Sequence, residues 1–309
     1  MTVTDSSHGN MSKIKYCVKS FRLRTLPLSM SGILTGCFLA YRSSRFHWSI
    51  FALAMLTTVF LQILSNISNE YGDAQNGADN SMRVGRIRSL QSGVLSVKDF
   101  QVMIVLFVLL ASVSGSLLVL VSFGTLFCAK GLIMLTLGCL AIIAAMKYTI
   151  GKDNYGYKGW GDVAVFIFFG LVSTVGVYYL NAHVIEPAVF LPASSIGMLS
   201  VGVLNVNNIR DRINDKECGK NTLVVRMGEK RAKVYHFGLI TGAWLCFLFY
   251  SAFHADHLGN WMYLLLLPIF AMHLVAVFRF TGQKLDVQLR NLSMATLLLS
   301  ILFGVSQVI

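Results

Sequence analysis

Apolar residues fall in long blocks along this chain, and almost every charge lies in the gaps between the blocks. Nine blocks of about 20 residues run near 23–41, 46–66, 100–121, 126–147, 162–181, 188–208, 234–252, 260–278 and 291–309. A helix of that length crosses the roughly 30 Å hydrocarbon layer of a membrane. None of the blocks shows the apolar–polar alternation of a membrane β-barrel, so helices are the only way for them to span. The pattern predicts an all-α polytopic membrane helical bundle with nine transmembrane helices. Residues 1–12 are polar and expected to be disordered, and 13–309 is expected to form a single intramembrane domain. The first block runs on without a small-x-small cleavage site, which predicts a retained helix and not a signal peptide.

Composition strengthens this picture. Of 309 residues, 55% are hydrophobic and 13% charged, where a soluble domain carries about 25% charged residues. The net charge of +12 could point to nucleic acid, but its distribution excludes that partner. All but three of the 26 Lys and Arg residues sit at the N-terminus or in every second loop; Arg42, Arg45 and Lys130 are the exceptions. By the positive-inside rule this places the N-terminus in the cytosol and the C-terminus outside. The partner implied is the lipid bilayer. The six cysteines show no paired spacing, which predicts free thiols, and the seven histidines show no metal-ligand spacing.

The candidate chemistry stands at the ends of two blocks. Asn66, Asn69 and Asp73 recur three and four residues apart, and Asn207, Asp211 and Asp215 recur four apart. On helices each set forms one polar stripe, and charge placement puts both on the cytosolic side. Two stripes of hard oxygen donors suit Mg²⁺ and, through it, a diphosphate. Glu70 and Asp79 extend the first set. Arg22, Arg83, Lys152, Arg210 and Lys220 lie in the same layer and are the expected diphosphate-binding cations, because several carboxylates facing a diphosphate need countercharge. Tyr148 and Lys152 place a phenol and an ammonium four residues apart.

Several of these segments together resemble the UbiA superfamily of intramembrane aromatic prenyltransferases over essentially the whole chain. They are Asn69-Glu70-Tyr71-Gly72-Asp73 with Gly77-Ala78-Asp79, Arg83-Val84-Gly85, Gln91-Ser92-Gly93, Arg22-Leu23-Arg24-Thr25-Leu26-Pro27, and Asn207-Asn208-Ile209-Arg210-Asp211 with Asp215 and Gly219-Lys220. Tyr148 and Lys152 match the Tyr-x-x-x-Lys element of that family. The resemblance is strongest to the branch that prenylates 1,4-dihydroxy-2-naphthoate in menaquinone biosynthesis. It departs from the pattern at Glu70, where the family generally has Asp, at Gly77, and at Asp162, where Glu is expected. The resemblance implies an enzyme of the bacterial cytoplasmic (inner) membrane with its active site facing the cytosol. Its donor would be a polyprenyl diphosphate and its cofactor Mg²⁺. It implies Asp73, Asp211, Tyr148 and Lys152 as catalytic residues. The implied metal site is Asn69, Asp73, Asp211 and Asp215, with Asn66, Glu70 and Asp79. Two other readings compete: a different aromatic acceptor such as 4-hydroxybenzoate or homogentisate, and a cation-coupled secondary transporter. The transporter reading fits less well, because the acids gather at one edge of the membrane and not at its midplane.

Overall fold

Among the residues described, nine helices are long and apolar enough to cross a membrane, the number the apolar blocks predict. The computed structural model describes residues 5–80 and 88–309, with side chains from residue 13 onward. A first helix, α1 (Asp5–Ser20), begins inside the segment expected to be disordered. The spanning helices follow as α2 (Leu26–Arg42), α3 (Trp48–Gln75), α4 (Val97–Phe123), α5 (Ala129–Lys147), α6 (Gly161–Ala182), α7 (Phe190–Glu217), α8 (Leu223–His254), α9 (Leu258–Arg279) and α10 (Leu285–Ser306). No strand occurs among the described residues.

Two helices run well past their apolar blocks. The second block ends near residue 66, but α3 continues to Gln75; the sixth ends near 208, and α7 continues to Glu217. Hydropathy marks only the part of a helix that lies in lipid. The backbone hydrogen bonds carry on into the polar layer, so both acidic stripes are helical. α3 and α7 are the second and sixth spans, so their stripes emerge on the same side.

Aromatic packing fixes one half of the bundle. Trp244 and Phe247 of α8, Tyr263 and Phe270 of α9 and Phe303 of α10 are all buried in one cluster, with the Phe247 and Phe303 rings 4.4 Å apart. Close backbone contact fixes α6 against α7. A Cβ built on Gly170 would lie 2.5 Å from the Cα of Gly197, so only glycine permits that approach. Here α6 passes through a π-helical stretch, Phe166–Val172, the kind of irregularity often found at functional sites. α5 lies at the rim, with Gly131 its one buried residue.

Candidate active site

The first stripe descends the last turns of α3. Asn66, Asn69 and Asp73 all line one cavity. Asn66 is partly committed: its amide donates to the Phe21 carbonyl at 2.9 Å and to Thr25 Oγ1 at 3.0 Å, which ties α3 to the start of α2. Asn69 Oδ1 accepts from Thr149 Oγ1 at 3.4 Å. Asp73 is buried and surrounded by donors. Arg88 Nη2 lies at 2.9 Å, the Tyr157 hydroxyl at 3.0 Å and Lys220 Nζ at 3.6 Å. Arg88 also reaches Asp79 through Nε at 3.1 Å and the Asn69 carbonyl through Nη1 at 3.2 Å.

Glu70, expected among the metal ligands, is turned elsewhere. It is buried, accepts from the Leu90 N–H at 3.0 Å and does not line the cavity. One residue along a helix is a rotation of about 100°, enough to move Glu70 off the face that carries Asn69 and aim it at the segment holding Arg88. Asp79 likewise sits behind Arg88 and not on the cavity wall.

The second stripe descends α7. Asn207, Asp211, Asn214 and Asp215 line the same cavity. Arg210, expected to meet diphosphate, is instead packed behind the stripe. It holds both oxygens of Asp211 (2.9 and 2.6 Å), Asn207 Oδ1 at 2.8 Å and, across the bundle, Asp286 Oδ1 at 2.6 Å. The stripes are locked together: the Asn214 amide donates to the Ala78 carbonyl at 3.0 Å, and Lys220 Nζ lies 3.9 Å from Asp215 as well as 3.6 Å from Asp73.

Burial alone disfavours these cations, but Asp73 and Asp79 hold Arg88 above its ordinary pKa, and Asp73 and Asp215 do the same for Lys220. Burial, reinforced by nearby carboxylates, raises Tyr148 and Tyr157 well above the usual phenol range, so both are neutral hydrogen-bond donors.

Tyr148 lines the cavity, but Lys152 is exposed and does not. The two would be neighbours on a continuous helix. α5 ends at Lys147, and Gly151 at φ +92° turns the chain outward. Arg22 lines the cavity near Asp73. Arg83 lies outside the described residues. Three functional neighbours went unread in the sequence. Arg88 and Tyr157 both contact Asp73, and Asp286 anchors Arg210. Only Arg88 had a local signal, as a further cation in the loop that follows Asp73.

From this polar mouth a cavity of about 460 Å³ extends among α2 to α7 and α10. Its lining follows α6 from Ala164 to Leu180, about 24 Å at 1.5 Å per residue. Leu118, Val119, Met134 and Leu180 close the far end.

Comparison with known proteins gives a family match and a shared fold. The sequence profile of the UbiA prenyltransferase family matches residues 29–299. A Haemophilus influenzae protein named 1,4-dihydroxy-2-naphthoate octaprenyltransferase is 39% identical over 305 residues, covering 96% of this chain and 97% of the relative. An Escherichia coli protein of the same name is 41% identical over 276 residues, covering 89% of this chain and 88% of the relative. Among solved structures, a UbiA homolog from Aeropyrum pernix superposes with a TM-score of 0.67 at 13% identity over 93% of this chain and 96% of its own. One from Archaeoglobus fulgidus bound to GPP and Mg²⁺ gives 0.61 at 16% identity, over 94% and 99%.

Proposed function

This chain belongs to the UbiA prenyltransferase family, and we propose that it transfers a polyprenyl group from an allylic polyprenyl diphosphate to 1,4-dihydroxy-2-naphthoate. In this reaction a bond forms between the allylic carbon and the ring carbon that bears the carboxylate. Diphosphate leaves the donor, and CO₂ leaves the ring. The carrying observation is the shared mouth: two acidic stripes meet at one end of one long, largely apolar cavity. The cavity takes the tail, and the stripes take the diphosphate end.

The donor set suits Mg²⁺. Asn69, Asp73, Asp211 and Asp215 offer oxygen alone, and Lys220 already puts a cation within 4 Å of both stripes. No group of three acids, histidines or cysteines among the described residues converges into a preformed cage, and a bound diphosphate would supply the remaining oxygen donors to a metal held by these side chains. The metal would supply positive charge to the leaving diphosphate. Arg88 and Lys220 keep the stripes charged and aligned, and Arg22 adds charge at the mouth. Tyr148 offers a neutral donor at the wall. The apolar lining keeps water from the reacting carbon. The site faces the cytosol of a bacterial inner membrane, on the side where Lys and Arg concentrate.

The test uses purified protein, a polyprenyl diphosphate and the naphthoate. Diphosphate release should require Mg²⁺, stop with EDTA and recover when Mg²⁺ is restored. Asp73→Ala and Asp211→Ala should each fall below about a hundredth of the wild-type rate, a barrier rise of about 2.7 kcal/mol, with folded protein still in the membrane. Retention of a tenth or more of the rate would remove those residues from the metal site.

A further inference from the structure

α10 contributes a part of the cavity wall that the two acidic stripes leave unexplained. Asp286, Arg290 and Ser293 stand four and three residues apart, on one face of that helix. Asp286 locates the face, because it holds Arg210, which in turn grips Asp211. Arg290 and Ser293 therefore lie one and two turns deeper in the membrane than that contact, and both line the cavity.

The neighbouring cations are engaged. Arg88 pairs with Asp73 and Asp79, Lys220 with Asp73 and Asp215, and Arg24 with Asp286 at 3.2 Å. Arg290 has no carboxylate within ion-pairing distance among the described residues. Ser293 is unusual in another way. Its neighbours on α10, Thr296 and Ser300, return their hydroxyls to the carbonyl four residues back at 2.8 and 2.9 Å. The Ser293 hydroxyl is buried, lines the cavity and has no hydrogen-bond partner. A buried hydroxyl left unpaired costs about 1–3 kcal/mol, a cost that a ligand in the cavity removes.

We propose that Arg290 and Ser293 form the acceptor subsite, with Arg290 pairing with the aromatic carboxylate and Ser293 bonding the adjacent ring hydroxyl. The proposal rests on the prenyl-transfer reading above and adds to it the residues that select an ortho-hydroxy aromatic carboxylate. A guanidinium presents a planar fork that matches a carboxylate. A serine one turn away can meet a hydroxyl on the next ring carbon. The position also suits the chemistry, since a ring held below the diphosphate stands next to the allylic carbon.

The experiment measures steady-state kinetics with each substrate varied separately, for wild type, Arg290→Ala, Arg290→Lys and Ser293→Ala. Arg290→Ala should raise KM for the naphthoate about tenfold or more while leaving KM for polyprenyl diphosphate within about twofold. Arg290→Lys should recover part of that loss, and Ser293→Ala should raise the naphthoate KM by about threefold to tenfold. As a second readout, wild type should be inhibited far more strongly by 1-hydroxy-2-naphthoate than by 1-naphthol, and Arg290→Ala should lose that preference. An unchanged naphthoate KM, an unchanged inhibitor preference, or a rise confined to the diphosphate KM would overturn the subsite. Failure of wild type to prenylate the naphthoate would instead overturn the function on which it rests.

Discussion

Asp73 shows how one side chain collects its surroundings. Three separate loops deliver its neighbours: α3 carries Asp73, and each loop brings one of Arg88, Tyr157 and Lys220. Glu70 marks the edge of that arrangement. It faces the Leu90 N–H and braces the segment that presents Arg88. Glu70→Gln keeps an acceptor oxygen, so its rate should stay within about threefold of wild type and its Mg²⁺ requirement should be unchanged. Glu70→Ala leaves the Leu90 N–H unmet at a cost of about 1–3 kcal/mol, and activity should fall as Arg88 loosens. The measurement is rate against Mg²⁺ concentration for both variants. A raised Mg²⁺ requirement in Glu70→Gln would return Glu70 to the metal ligands.

At the scale of elements, the wall of the cavity depends on how closely helices approach. α6 and α7 meet at Gly170 and Gly197, where a Cβ on Gly170 would also lie 2.8 Å from the Ala193 carbonyl. Both obstacles are backbone and cannot swing aside. Gly170→Val should therefore destabilise the protein by about 1–3 kcal/mol or more, seen as a lower thermal midpoint in detergent. Gly138→Ala is the control: its Cβ would meet nothing within 4 Å, and the midpoint should not move. The apolar blocks predicted all nine spans but placed the ends of α3 and α7 too early, because hydropathy falls where the helix enters the polar layer while its backbone ladder continues.

Charge placement predicts how the whole molecule is oriented, and that orientation can be tested directly. In a cysteine-free background, a membrane-impermeant thiol reagent applied to intact spheroplasts should label Leu258→Cys, at an exposed position (90% accessible). Lys152→Cys should react only after the membrane is opened. The reverse pattern would move the site to the outer face. Membrane class, the nine spans found among the described residues and the two acidic stripes can all be read from the sequence. Each of these follows from periodicity or composition within a single segment. Tertiary structure alone decided which groups meet. Arg210 finds Asp286 across 76 residues, and Asp73 finds Tyr157 across 84. His236 and His273, far apart in the chain, are joined at 3.0 Å in the buried interior. It also turned Lys152 outward and Glu70 aside. The spacing of residues along a helix fixes which share a face. What that face meets depends on loop paths and on how closely helices pack, and neither is written in the local pattern.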